Sequence, residues 1–153
     1  MSGTVEAKLA TLGITVPVAI PPVANYVPTV ISGNQLWISG QISAADGKPI
    51  AGKLATADDI AHGQTAARAC AINLMAQMKA ALGDLDRVKR IVKLVAFVNS
   101  APDFTDQPKV VNGASDLFVE AFGDAGRHAR SAVGVAALPM NVSVEIDAVV
   151  EFV

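Results

Sequence analysis

The chain is poor in the residues that build disulfides and metal centres. Among its 153 residues it has one cysteine and two histidines, His62 and His128, which stand far apart. A single cysteine excludes a disulfide within the chain, and two separated histidines give no metal-ligand spacing. Cys70 falls at an apolar position of a helical pattern, which is typical of a small buried side chain. The sequence therefore indicates neither a metal nor another cofactor.

Charge is also scarce and has no dominant sign. Charged residues make up 17% of the chain, and the formal net charge is −2. A protein that binds nucleic acid in general usually presents a strongly basic surface, so this balance argues against a nucleic-acid partner. The one basic cluster, at residues 87–93, is typical of a solvated strand end rather than of a phosphate-binding track.

Long apolar runs are missing, although apolar residues are abundant. No window approaches the roughly 18 unbroken apolar residues of a membrane span, and no basic and apolar leader opens the chain. We therefore expect a cytoplasmic protein without a membrane partner. Hydrophobic residues nevertheless make up 52% of the chain. Because a small domain has much surface for its volume, this surplus predicts a homo-oligomer.

Periodicity and turn-forming residues predict an α+β chain in two parts. Residues 1–25 form an N-terminal helix and a proline-rich extended arm, and residues 26–153 form a single domain. The domain has the order β-β-α-β-α-β-β, which predicts one mixed sheet with both helices on one face. Its elements are expected at residues 27–32, 35–43, 59–82, 88–98, 110–122 and, for the last two strands, within 129–152. The other face of the sheet must meet a partner.

Residues 129–146, from the start of one predicted strand into the next, carry one arginine and one glutamate among small and apolar residues. A period of two places Glu145 opposite the apolar face of its strand. Arg130 shares a face with Ala132 and Gly134, which leave room beside its guanidinium. An arginine in a shallow pocket is a natural receptor for a carboxylate or phosphate. The alternative is a structural Arg130–Glu145 ion pair between neighbouring strands, and periodicity leaves both interpretations open.

Four motifs follow one another along the domain. A tyrosine, a glycine-containing hairpin and a strand that ends in Ser-Gly-Gln occupy residues 26–42. Gln-Thr and Asn-Leu stand in the first long helix, and Phe104 and Asn112 lead into the second. The closing motif, at residues 129–146, is Ala-Arg-Ser, Leu-Pro and Val-Glu-Ile. In this combination the chain resembles the RidA/YjgF family of reactive-intermediate deaminases, with the family's own spacing between the arginine and the glutamate.

The resemblance implies a chorismate-mutase-like fold that assembles as a trimeric barrel, with clefts between neighbouring subunits. It also implies a reaction: hydrolysis of an enamine or imine, made from an amino acid by a pyridoxal-phosphate enzyme, to a 2-oxo acid and ammonia. Arg130 and the backbone N–H of Ala132 would hold the substrate carboxylate. Glu145 would position or activate the attacking water.

The same resemblance implies that four further residues shape the cleft: Tyr26, Ser39, Gly40 and Asn112. Three of them also have purely structural interpretations, because Tyr26 can pack at an interface, Ser39 can bond within its hairpin and Asn112 can cap a helix. One departure from the family pattern is His128, which stands where proline or alanine is usual. We interpret it as a loop histidine, the alternative being a titratable neighbour of the anion site.

Other functions remain open at this point. The main alternative is a non-catalytic trimeric protein that binds small carboxylates through Arg130. A ribonuclease is disfavoured by the acidic balance and by the lack of a histidine pair. Chorismate mutase chemistry is disfavoured because rearrangement of a dianion would need more cations than one arginine.

Overall fold

Five strands form one mixed sheet in the computed structural model, which describes residues 3–153. The strands of the chain are β1 (Thr29–Ser32), β2 (Gln35–Ile42), β3 (Ala44–Ala45), β4 (Lys48–Pro49), β5 (Val88–Asn99), β6 (Ala129–Val135) and β7 (Val144–Phe152). The five long ones are ordered β1-β2-β7-β5-β6. The β5–β6 pair is parallel, and the other three pairs are antiparallel. The short β3 and β4 form a separate hairpin between the predicted elements at 35–43 and 59–82, where no strand was expected.

Two long helices cover one face of the sheet, as predicted. The helices are α1 (Thr4–Thr11), α2 (Ile60–Leu82) and α3 (Gln107–Phe122). Alternate residues of β7, from Val144 to Val150, are buried beneath α2 and α3. Leu9 of α1 is also fully buried, so the N-terminal helix contributes to the same core. The α+β fold class inferred from the sequence is confirmed.

Local sequence signals explain where the long elements begin and end. Thr56 and Asp59 form a capping box in the turn before α2, which satisfies backbone N–H groups at the start of the helix. Gly83 ends α2 with a φ of 84°, and Gly33 turns the β1–β2 hairpin with a φ of 62°. Both angles favour glycine because it has no Cβ to clash with the backbone. Helix α3 begins earlier than predicted, so Pro108 lies inside its first turn.

The prediction that Arg130 and Glu145 stand on neighbouring strands is wrong. Strand β5 lies between β6, which carries the arginine, and β7, which carries the glutamate. Helix α3 is the crossover between two parallel strands, so β6 pairs with β5 on its outer side. The chain after β6 then crosses back over the end of β5, and β7 pairs with β5 on one side and β2 on the other.

The face of the sheet away from the helices is uncovered in a single chain. Val30, Trp37 and Val133 on this open face are about half exposed. The sheet itself is open, with β1 and β6 as its edges, so the closed barrel and the trimer stay predictions. Among residues 3–153, no helix is both long and apolar enough to cross a membrane.

Candidate functional site

The residues predicted to form the site fall into two groups on the sheet. One cavity is lined by four of them, Tyr26, Ser39, Gly40 and Glu145. We call these four residues the glutamate group. Arg130, Ala132 and Asn112 lie on β6 and α3, at the opposite edge of the sheet. We call these three the arginine group.

The glutamate group is built around an irregularity in β2. The register between β2 and β7 shifts between Ile38 and Gln41, where Ser39 and Gly40 lie. Such a bulge bends the strand locally and redirects its side chains. A Cβ on Gly40 would lie 3.1 Å from Cδ of Glu145. Glycine is therefore the residue that lets the backbone of β2 approach this carboxyl group closely.

Ser39 connects the bulge to the tyrosine loop. Its backbone N–H donates to the Pro28 carbonyl at 2.9 Å, and its hydroxyl donates to the Val27 carbonyl, also at 2.9 Å. The Ser39 hydroxyl thus makes a structural hydrogen bond within the chain, in line with the alternative that Ser39 bonds locally. These bonds hold the loop that carries Tyr26, a residue that is 57% exposed and lines the cavity.

The cavity beside Glu145 has a volume of about 910 Å³ and is lined by the N-terminal arm, β2, the β3 region and α2. Its outer wall comes from the arm, a contribution that sequence reasoning missed. Gln77 of α2 donates to the Ile20 carbonyl of the arm at 3.2 Å. Asn73, part of the Asn-Leu motif, donates to the Ile42 and Ala44 carbonyls at 3.1 Å each. Both amides therefore hold cavity walls, and the motif was the available signal for Asn73.

Two carboxyl groups of β7, those of Glu145 and Asp147, hold protons more readily than usual. Burial raises the pKa of Glu145, and the nearby Asp147 carboxylate raises it further. Burial also raises the pKa of Asp147. A carboxylate with a raised pKa is a better proton acceptor at neutral pH. Glu145 thus has the properties of a general base beside a cavity.

The arginine group lies on the helix side of β6. Arg130 is paired with Leu94 of β5, whose side chain is fully buried on that side. Its Nη1 donates to Oγ of Ser115 at 3.0 Å, and its Nη2 donates to the Pro108 carbonyl at 3.2 Å. A guanidinium has five N–H donors, so three are left for a ligand beyond these two bonds. That number is enough for a bidentate contact with a carboxylate.

Asn112 and Ala132 lie close to this guanidinium in the fold. Asn112 is exposed and follows Pro108 by one helical turn, on the side of α3 that also carries Ser115. Ala132 is two residues beyond Arg130 on β6 and therefore on the same face. The structure thus gathers the three predicted residues of this group in one place.

Within one chain the two groups do not meet. Glu145 is in register with Phe97 of β5, three residues beyond Leu94, the partner of Arg130. This offset and two strand spacings put the Cα atoms of Arg130 and Glu145 roughly 14 Å apart. Their side chains also point to opposite faces of the sheet. The structural ion pair between them is therefore wrong for a single chain.

His128 lies in the loop before β6, as predicted. It is also linked to Arg130 of the arginine group through a hydrogen bond with Ser115. Its Nε2 is 2.9 Å from Oγ of Ser115, which accepts from Arg130. Burial lowers the pKa of His128, and the positive charge of Arg130 lowers it further. Sequence reasoning missed Ser115, because nothing in its spacing distinguishes it from a surface helix serine.

Neither Cys70 nor a set of metal-ligating side chains forms a second functional site in the described part of the chain. Cys70 is fully buried and its thiol donates to the Val144 carbonyl at 3.4 Å, and burial raises its pKa well above the usual range. It is a core residue, as predicted. Across residues 3–153, no cluster of three or more His, Cys, Asp or Glu side chains is arranged to hold a metal ion.

Comparison with known proteins gives consistent matches over nearly the whole chain. A family model described as "YjgF/chorismate_mutase-like, putative endoribonuclease" matches residues 6–151. Protein TCP17 of Trypanosoma cruzi is 56% identical over 152 residues, which is 98% of this chain and 95% of that protein. A 2-iminobutanoate/2-iminopropanoate deaminase of Dermatophagoides farinae is 29% identical over 139 residues, 90% of this chain and 93% of that protein.

A solved structure agrees with the fold. The crystal structure of Atu1372 from Agrobacterium tumefaciens superimposes with a TM-score of 0.88 at 51% sequence identity. The match covers 97% of this chain and 92% of that one. The N-terminal helix and arm are therefore shared with this relative, because a match of that coverage leaves few residues out.

Proposed function

The chain belongs to the YjgF/chorismate mutase-like family, and we propose that it hydrolyses enamines or imines of amino acids to 2-oxo acids and ammonia. One observation carries the proposal. Among residues 3–153, neither the Arg130 guanidinium nor the Glu145 carboxyl takes part in an ion pair. An arginine with spare donors and a partly buried base are the two groups that this reaction needs.

The chemistry follows from these two groups. The guanidinium of Arg130 binds the substrate carboxylate and fixes the position of the adjacent C=N carbon. Glu145 accepts a proton from water as the water oxygen bonds to that carbon, and then returns the proton to nitrogen. Glu145 then takes the proton of the new hydroxyl group and passes it to the amino nitrogen, so that the C–N bond breaks, ammonia leaves and the carbonyl of the 2-oxo acid forms. An enamine enters the same sequence after protonation of its β carbon.

Both groups reach one substrate only if two chains contribute. The Cα atoms of Arg130 and Glu145 lie roughly 14 Å apart and their side chains point to opposite faces, whereas a small imino acid is far shorter than that. We propose a homotrimer in which the β6 edge of one subunit meets the open face of the next. This arrangement also covers Val30, Trp37 and Val133, whose exposure is unfavourable in a monomer.

The proposed activity is tested by supplying the protein with a freshly made imine. A pyridoxal-phosphate lyase or an amino-acid oxidase generates the imine, and the release of 2-oxo acid is followed in time. We expect a rate that rises with protein concentration above the spontaneous hydrolysis. An imine of a simple amine without a carboxylate is the control, and it should show no acceleration. Tight 2-oxo acid binding without any rate increase would favour the non-catalytic carboxylate binder.

Mixed oligomers test whether the site lies between subunits. Arg130→Ala and Glu145→Gln are co-expressed with different affinity tags, and oligomers that carry both tags are purified. A wild-type site forms wherever the arginine of the Glu145→Gln chain faces the glutamate of the Arg130→Ala chain, which is about one third of the sites in proposed trimers that carry both tags. We expect the mixed oligomers to regain activity that neither variant has alone. No recovery would show that both groups act from the same chain.

A further inference from the structure

Arg130 is held by a chain of hydrogen bonds through Ser115 and His128, two residues that lie outside the four sequence motifs. Its Nη1 donates to Oγ of Ser115 at 3.0 Å, and this oxygen lies 2.9 Å from Nε2 of His128. The other ring nitrogen of His128, Nδ1, lies 2.6 Å from the Gly126 carbonyl. The series therefore runs from the guanidinium through a hydroxyl and an imidazole to the backbone.

The direction of every hydrogen bond in this series is determined by its two ends. A carbonyl oxygen can only accept, so Nδ1 of His128 carries a proton and donates to Gly126. Arginine can only donate, so Oγ of Ser115 accepts from Arg130. The serine proton then points to Nε2 of His128, which accepts it as the unprotonated nitrogen of a neutral ring. Each group in the series thus has one available arrangement.

Packing holds the imidazole in this orientation. His128 is partly buried, and its ring meets the Phe118 ring edge-on, with the centroids 6.0 Å apart and an interplanar angle of 77°. Phe118 is itself fully buried in α3. Burial favours the neutral ring by lowering the pKa of His128, and the positive charge of Arg130 acts in the same direction.

We propose that Ser115 and His128 are positioning residues that orient the Arg130 guanidinium for the substrate carboxylate. The inference rests on the proposed function, in which Arg130 binds that carboxylate. A guanidinium on a flexible side chain loses affinity when it has to be ordered on binding. Here Ser115 and the Pro108 carbonyl each occupy one donor, and the remaining donors are presented in one orientation. His128 acts through Ser115, because its acceptor nitrogen keeps the hydroxyl proton away from Arg130.

Ser115→Ala is the decisive variant, and Ser115→Thr is its conservative counterpart. Alanine favours a helix at least as well as serine, so folding should be retained. We expect Ser115→Ala to raise the Kd for pyruvate, the probe, and the KM for the imine by about tenfold, because a hydrogen bond to a charged group is lost. The kcat at saturation should stay within about twofold, since Glu145 is unaffected. Threonine keeps the hydroxyl and should restore the affinity.

His128→Gln and His128→Ala extend the test to the imidazole. Glutamine can offer an oxygen to the Ser115 hydroxyl and should restore part of the affinity that alanine loses. Thr65→Ala is the matched control, because Thr65 of α2 bonds within its own helix, to the Ala61 carbonyl at 3.2 Å. This control should leave the Kd unchanged. Thermal melts of all the variants separate loss of positioning from loss of folding.

Two results would overturn the inference, and a third would overturn the proposed function instead. Unchanged Kd and KM in Ser115→Ala would show that the serine does not position the arginine. A fall in melting temperature together with the affinity, without rescue by threonine, would show a merely structural role. If Arg130→Ala itself bound pyruvate as well as the wild type, the proposed carboxylate site would be wrong. The arginine variant thus separates the two failures.

Discussion

Glu145→Gln is expected to reduce imine hydrolysis by about 10²–10⁴-fold, the usual contribution of a positioned acid or base. Glutamine preserves the size of the side chain beside Gly40, but it cannot accept the proton of the attacking water. Binding of a 2-oxo acid should persist, because Arg130 belongs to the other group of site residues. The measurement is the rate of 2-oxo acid release at saturating substrate, with pyruvate binding measured in parallel.

The pH dependence of the wild type gives a second measure of the same residue. The pKa of Glu145 is raised from its ordinary value of 4.5. As the solution is made more acidic, the hydrolysis rate should therefore begin to fall at a higher pH than it would with an ordinary glutamate as the base. Asp147→Asn is the matched control on the same strand and face. This variant should stay active. Its loss of rate on acidification should occur at a lower pH, since Asp147 raises the pKa of Glu145.

Stability gives an independent check on the Glu145→Gln variant. A carboxyl group whose pKa is raised by folding contributes stability that is fully present below its unfolded pKa and lost as pH rises through the folded pKa. At neutral pH the ionised Glu145 therefore opposes folding, and the glutamine variant should melt at the same temperature or higher. Full activity in this variant would remove Glu145 from the mechanism.

Arg130→Ala is expected to weaken the binding of small carboxylates by about 100-fold or more, since two charge-assisted hydrogen bonds are lost. The free energy of unfolding should change by less than about 1 kcal/mol. The arginine is partly exposed, and its two hydrogen bonds within the chain go to Ser115 and Pro108 rather than to a buried acid. Pyruvate titration and a thermal melt measure the two effects.

A second arginine provides the control for that experiment. Arg90 of β5 donates to the Arg127 carbonyl at 3.0 Å and has no part in either group of site residues. Arg90→Ala should therefore bind pyruvate like the wild type. A loss of roughly 3–5 kcal/mol of stability in Arg130→Ala would instead indicate a buried ion pair with the glutamate of a neighbouring subunit.

Much of the fold could be predicted because its signals are local. The 3.6-residue spacing of apolar side chains identified α2 and α3, and alternation identified β7. Glycines at 33 and 83 marked the turns, since their positive φ angles are rarely adopted by other residues. The β3–β4 hairpin was missed because strands of two residues are too short for alternation to be visible.

The sequence alone singled out the candidate site residues. Arg130 and Glu145 were conspicuous because they are the only two charged residues between 129 and 146, and the motif spacing connected them to Tyr26, Ser39 and Gly40. Only the tertiary structure decided how these residues are divided. Strand order depends on contacts between distant segments, so periodicity could not reveal that β5 separates β6 from β7. For the same reason, the bonds of Ser115 and His128 to Arg130 became visible only when α3 was packed against the edge of the sheet.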